Sequence, residues 1–410
     1  MTGRSAVQRT RLPNGIRILT ERTPHHKGAV ALFRFAAGSA YEAPAGWGTA
    51  HFLEHMVFQG TPDKNHDTLM MELARLGAVA NASTGFESTV YDLTAPASTM
   101  LQALEIMAEM LSRFALDEQA VERERDIILE EWRMTRDDPA AWGEDCLYHQ
   151  VLGDFGHPIL GTEETIAAIG RGDLREFAES YYTPENLIVA VAGNLEHERV
   201  VEVLARWFGA DKRLSKPKPP VRIARSPRLH IDEEHEQEQI FIGFQAPPLS
   251  DGKLPAFDVL TSILGGDSWS RLFRKIRNEL GLAYSIGGFY SGWQEIGLYG
   301  IQSATHPDNA GRLLDEIRRE VAAIRHDVTA DEIELAKATL RANLLFGVDQ
   351  LSWRAERLLV DEAVFGRIRP VEEDLRAIAN VSRDDVTELA QTVLDLDKST
   401  LVTVGRVPLD

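Results

Sequence analysis

The sequence predicts an α+β fold built as two homologous domains, each a mostly antiparallel sheet packed with helices. Three observations predict it. Short apolar runs of strand character alternate with longer stretches of helical periodicity along all 410 residues. The order of these elements in the first half recurs in the second. Gly77 and Gly281, each ahead of a hairpin, lie 204 positions apart, and Gly193 and Gly405, which close the strands AVAGN and VTVGR, lie 212 apart. Between the halves, residues 210–222 (ADKRLSKPKPPVR) hold three prolines and five Lys/Arg. That segment is too polar to pack and too proline-rich for a helix or a central strand, so it reads as a linker. The expected domains are therefore 1–209 and 223–410.

Taken in order, residues 16–20 follow the turn Pro13-Asn14-Gly15 and read as a strand, as does the apolar run 30–35. Helices are expected over 46–58 and 67–76. Residues 79–83 and 88–93 read as a hairpin around Gly85. Leu101, Leu104, Met107, Ala108 and Leu111 mark a helix over 97–114. Asp117 can cap a long helix reaching about residue 136, and Pro139 opens the next. A buried strand at 187–192 and a helix over 196–208 complete the first half. The second half offers strands at 229–231 and 239–244, helices at 256–264 and 270–278, and a hairpin over 284–303. Long helices follow over 307–325 and 330–346, then a shorter one from about 383 and a closing strand at 401–405.

Forty-four Lys and Arg against 63 Asp and Glu give a net charge of −19. This argues against a nucleic-acid partner, which needs clustered cations. Cys146 is the single cysteine, so an intrachain disulfide and a cysteine-rich metal site are both excluded. No stretch approaches the ~20 apolar residues of a membrane span. The first residues carry arginines without an apolar core, so no secretory signal is expected and a cytoplasmic location is the default.

The chemistry is concentrated in His51-Phe52-Leu53-Glu54-His55, inside the first expected helix. Residues i and i+4 share a helix face, so both imidazoles can reach one metal ion. Glu54 lies on the same side, placed to take a proton from water rather than to bind the metal. On this motif alone, two surface histidines on a polar helix remain an open alternative.

The surroundings carry more information. The runs Gly38-Ser39-Ala40-Tyr41-Glu42 and Gly48-Thr49-Ala50-His51-Phe52-Leu53-Glu54-His55-Met56-Val57-Phe58-Gln59-Gly60-Thr61 closely resemble the pitrilysin/insulinase family of zinc peptidases, with its inverted HxxEH motif. The resemblance extends over nearly the whole chain. Two copies of the domain in one chain make it similar to the small two-domain bacterial members and to the subunits of mitochondrial processing peptidase. It implies Zn²⁺ as cofactor, with His51 and His55 as ligands and Glu54 as the base. The family's third ligand is a glutamate about 76 residues after the second histidine, which is Glu131 within Glu122-Arg-Glu-Arg-Asp-Ile-Ile-Leu-Glu-Glu131. Glu124, seven residues earlier, shares its helix face, whereas the adjacent Glu130 is rotated by ~100°. The resemblance thus assigns Glu131 as ligand and Glu124 as a carboxylate behind the site.

The resemblance implies further roles. Residues 76–84 are similar to the edge strand on which the family holds its substrate as an added strand, with Asn81 and Ala82 at the matching Asn-Ala pair. Phe58 matches a position lining an apolar substrate pocket, although a core aromatic is as good a reading of the residue itself. In the second half, Arg277 and Tyr284 match the family's arginine–tyrosine pair. Both can donate hydrogen bonds, Tyr284 to a developing oxyanion and Arg277 to a substrate carbonyl. The implied function is a zinc endopeptidase that encloses peptides or unfolded polypeptides between two halves. In such two-domain chains the zinc domain faces the second domain of a partner, so a homodimer with a site completed in trans is expected. The alternatives are a noncatalytic or heteromeric partner subunit and a maturation protease dedicated to one peptide.

Overall fold

A computed structural model describes residues 7–211, 213–218, 223 and 225–409. The expected linker at 210–222 falls partly outside them, at residues 212 and 219–222. Two compact units form, one from residues 1–132, 159–220 and 347–368, the other from 133–158, 221–346 and 369–410.

The first unit contains a six-stranded sheet of β1 (Val7–Arg11), β2 (Arg17–Arg22), β3 (Gly28–Phe35), β4 (Val79–Thr84), β5 (Thr89–Pro96) and β6 (Leu187–Gly193), in the order β1-β2-β6-β3-β5-β4. The second contains β7 (Arg228–Asp232), β8 (Glu238–Ala246), β9 (Ile286–Gly292), β10 (Gly297–Thr305) and β11 (Thr400–Gly405), in the order β7-β11-β8-β10-β9. Omitting β1, the two orders are the same. In each sheet one pair is parallel, β2 with β6 and β7 with β11, and the others are antiparallel. Both sheets are packed with helices, so the α+β architecture with two related domains holds.

Helices of the first half are α1 (Thr49–Val57), α2 (His66–Arg75), α3 (Met100–Arg113), α4 (Glu118–Asp137), α5 (Pro139–Leu152), α6 (Glu163–Ala168), α7 (Arg171–Tyr181) and α8 (His197–Phe208). The second half has α9 (Leu254–Thr261), α10 (Ala310–Asp327), α11 (Ala330–Val348), α12 (Leu351–Val360), α13 (Val371–Asn380) and α14 (Arg383–Val393). The repeat is visible in backbone conformation too. Gly77 and Gly281 take left-handed φ values of 67° and 61°, each just before its sheet's edge hairpin. A residue with a Cβ is strained there, which is why glycine marks the repeat.

Strand residues alternate between faces, so each sheet buries two layers. In the first unit Ile18, Ala31, Phe33 and Tyr91 pack with Phe52, Leu53, Leu104, Met107 and Leu204 from the helices on one face. Leu19, Val30, Leu32, Ile188 and Ala190 face the other way and are covered by Ala355, Leu358 and Leu359 of α12. The second sheet is covered reciprocally by α5. A Cβ at Gly143 would run into the Phe241 ring, and one at Gly243 would lie 2.6 Å from Val151. Each sheet thus takes one covering helix from the other half of the sequence.

Candidate metal centre

The metal motif is placed by how α1 begins. Gly48 sits at φ 99°, where a Cβ would press against the Leu160 carbonyl. The Glu42 carboxylate then caps the helix, accepting from the Gly48 N–H at 2.8 Å and the Ala50 N–H at 2.6 Å. A carboxylate at this position satisfies free amides and complements the helix dipole. His51 and His55, one turn apart, hold their ring centroids 4.7 Å from each other.

The second contributor is α4. Its Arg125 guanidinium lies 5.6 Å from the Phe52 ring centroid on α1 and donates to the Ile166 and Ile169 carbonyls at the end of α6. With α4 fixed in this register, Glu131 Oε2 lies 3.7 Å from His51 Nε2 and 3.6 Å from His55 Nε2. One donor atom from each of the three residues falls within 4.8 Å of the others. Ligand bonds of roughly 2.0–2.2 Å in tetrahedral geometry set donors about 3.3–3.5 Å apart, so two imidazoles and a carboxylate at these distances fit Zn²⁺. Three protein ligands also leave a fourth position open.

Glu124 stands behind this set. It is only 6% exposed, and its Oε2 accepts from His55 Nδ1 at 3.0 Å, which leaves Nε2 free to bind a metal. The two imidazoles differ sharply in their electrostatics. Burial, and then the neighbouring charge of His55, depress His51 to about 4. Burial also opposes charge on His55, but the Glu124 and Glu131 carboxylates outweigh it and lift His55 to about 9.

Glu54 reaches the same region, and its Oε2 accepts from the Thr84 hydroxyl at 2.5 Å. Burial raises the Glu54 carboxyl, with Thr84 and His55 acting against the rise. Phe58 follows α1 and is partly buried. Its ring lies 6.0 Å from that of Tyr91, and its carbonyl accepts from His66 Nδ1 at 2.8 Å. Asn81 and Ala82 lie on β4, the edge of the sheet, Asn81 facing solvent and Ala82 turned inward. The structure thus brings His51, His55, Glu131, Glu124 and Glu54 together in the first unit, with the edge strand joined to them through Thr84.

Arg277 and Tyr284 are brought together in the second unit. The Arg277 guanidinium stacks 4.6 Å from the Tyr284 ring centroid and 4.8 Å from that of Phe273, while Tyr284 is 80% exposed. The stack sits on a π-helical turn over Phe273–Glu279, a geometry often found at functional sites. Three further residues contribute: Glu42 as the cap of α1, Thr84 as the donor to Glu54, and Phe273 against Arg277. Of these only Thr84 carries a readable signal, since a two-residue period sets it on the same strand face as Ala82.

Among the described residues the second unit holds no equivalent metal set. α9 begins 205 positions after α1, which places Ala256, Val259 and Leu260 where His51, Glu54 and His55 stand, and all three are buried in the core.

Comparison with known proteins agrees with this division. Residues 17–163 match the family described as insulinase (peptidase family M16), and residues 168–340 match the peptidase M16 inactive domain. An uncharacterised zinc protease of Streptomyces coelicolor is 33% identical over 405 residues, spanning 96% of this chain and 88% of that one. The uncharacterised zinc protease YmxG of Bacillus subtilis is 29% identical over 95% of this chain and 96% of its own length. Among solved structures, a protease from Helicobacter pylori has the same fold, with a TM-score of 0.90 at 21% identity over 98% of this chain and 99% of that one. A Pseudomonas fluorescens structure described as a peptidase M16 inactive domain gives 0.91 at 19% identity over the same shares. Two family models covering consecutive stretches, and a relative one-third identical along almost the whole length, show that this chain belongs to the M16 (pitrilysin/insulinase) peptidase family.

Proposed function

We infer that the protein is a zinc-dependent endopeptidase acting on peptides or unfolded polypeptides. The observation that carries this reading is the convergence of His51, His55 and Glu131 donor atoms, with Glu54 beside them and Glu124 behind His55. Zinc, when bound, supplies the Lewis acid that polarises a peptide carbonyl and makes water nucleophilic at neutral pH. The protein's own groups do the rest. Glu54 accepts the proton of the attacking water and delivers it to the leaving nitrogen. The free edge of β4 offers main-chain hydrogen bonds to an extended peptide beside Asn81 and Ala82. Phe58 contributes to an apolar substrate pocket. Arg277 and Tyr284 donate hydrogen bonds to the substrate carbonyl and the developing oxyanion.

The partner is a second copy of the chain, its second domain completing the site in trans. This is supported by one chain carrying both the metal set and the Arg277–Tyr284 pair. No helix among the described residues is long and apolar enough to cross a membrane. A cytoplasmic location is part of the proposal and is supported by the N-terminal residues, which carry arginines without an apolar core. The test is digestion of a mixed peptide library and of a compact folded protein, with and without a chelator. Peptides should be cut, the folded protein spared, and the chelator should stop cleavage. Rapid cutting of the folded protein without prior unfolding contradicts enclosure of the substrate.

A further inference from the structure

The hydroxyl of Thr84 is the one group hydrogen-bonded to the Glu54 carboxylate among the described residues. We propose that Thr84 is a positioning residue of the hydrolytic reaction, holding the Glu54 carboxylate in place from the last position of the edge strand. This rests on the reading of Glu54 as the base.

The direction of the hydrogen bond follows from counting protons. Thr84 Oγ1 has two neighbours, Glu54 Oε2 at 2.5 Å and Thr89 Oγ1 at 3.3 Å. Thr89 is wholly buried and donates its single hydroxyl proton to the Ala37 carbonyl at 2.9 Å. It has none left for Thr84. The Thr84 proton therefore goes to the carboxylate, at the short distance typical of an O–H donor facing a charged acceptor. Oε2 is thereby anchored to the strand, and the carboxylate keeps acceptor sites for a proton from water.

The strand makes Thr84 a firm support. Thr84 and Thr89 face each other as the last pair of the β4–β5 ladder. The hairpin closes directly beyond them, with the Gly85 N–H donating to the Ser88 carbonyl at 2.9 Å. A carboxylate held from this point has little freedom to swing, whereas glutamate otherwise loses considerable rotamer freedom on fixing. The same strand presents Asn81 and Ala82, so one element would align both the peptide and the base. Small displacements of a reacting group cost turnover steeply.

The experiment compares Thr84→Val, Thr84→Ala and Thr84→Ser, measuring zinc content, KM and kcat on a library-derived peptide. Val and Ala should lower kcat by about 10–100-fold while zinc content and KM stay within about twofold. Ser, which restores the hydroxyl, should return kcat to within a few-fold of the wild type. Combining Thr84→Val with Glu54→Gln should give no loss beyond that of Glu54→Gln alone. Wild-type kcat in both Val and Ala variants overturns the proposal and leaves Glu54 as base untouched. So does a Ser variant as defective as Val, with zinc lost and KM raised, because that marks a purely structural role. Full turnover by Glu54→Gln overturns the underlying reading instead.

Discussion

Glu130 and Glu131 are neighbours in sequence, but on the α4 helix they face in different directions. Glu131 lies seven residues after Glu124, nearly two full turns, so the two share the face that meets α1. Glu131 reaches both imidazoles and Glu124 reaches the far nitrogen of His55. The i, i+4 histidines are legible from spacing alone, because helix geometry fixes them. The third ligand is not, since it lies 76 positions away and only the packing of α4 on α1 brings it close. Thr84 is harder still, its role depending on a hydrogen bond between a helix and a strand. From this arrangement, Glu124→Ala should weaken zinc binding by about 10–100-fold, as loss of a carboxylate behind a ligating histidine does. Glu130→Gln should leave zinc affinity unchanged. Competition with a chromophoric chelator measures both, and equal effects would mean that the wrong face of α4 has been assigned.

Most strands and long helices are legible because their periodicity matches their burial. β1 is not. Its residues Val7–Arg11 are mostly exposed, and it exists through pairing with β2. α7 carries Leu174, Phe177, Ala178 and Tyr181 at helical spacing, so its signal is present in the sequence. α12 shows an apolar face too, but what that face covers is set more than 150 positions earlier. Leu358→Ala should therefore lower stability by about 2–5 kcal/mol, read by denaturant unfolding, although Leu358 is remote from the metal set in sequence. A second element-level device is the clamp at Arg271. It donates to Asp327 at the end of α10 and to Glu332 at the start of α11. Burial alone would raise the Glu332 carboxyl, but Arg271 and the Thr329 N–H and hydroxyl hold it down to about 2. A depressed carboxyl stabilises the fold above its unfolded value near 4.5 and loses that contribution as pH falls toward 2. Glu332→Gln should melt below the wild type at pH 7, with the difference shrinking between pH 4.5 and 2. A gap that stays constant with pH would contradict this.

At the scale of the molecule, duplication explains both the symmetry and the division of labour. We propose 1–209 and 223–410 as the repeat units, whereas the packing exchanges α5 and α12 between them. The recurring order of elements is legible in the sequence, but this exchange leaves no local sequence signal, because each exchanged helix covers a sheet distant in sequence. One copy keeps the metal set and the other has apolar core in its place. If the site is completed in trans, mixing Glu54→Gln with Tyr284→Phe should restore about a quarter of wild-type activity. Half of randomly formed dimers are then mixed, and each has one intact site of two. Subunits that exchange without restoring activity would exclude the arrangement. We propose that this chain holds zinc through His51, His55 and Glu131 and cleaves peptides with Glu54 as base. Zinc content and peptide turnover of purified Glu54→Gln test it most directly. The variant should hold about one zinc per chain, as the wild type does, with turnover lost. Turnover close to wild type at full zinc occupancy would contradict it.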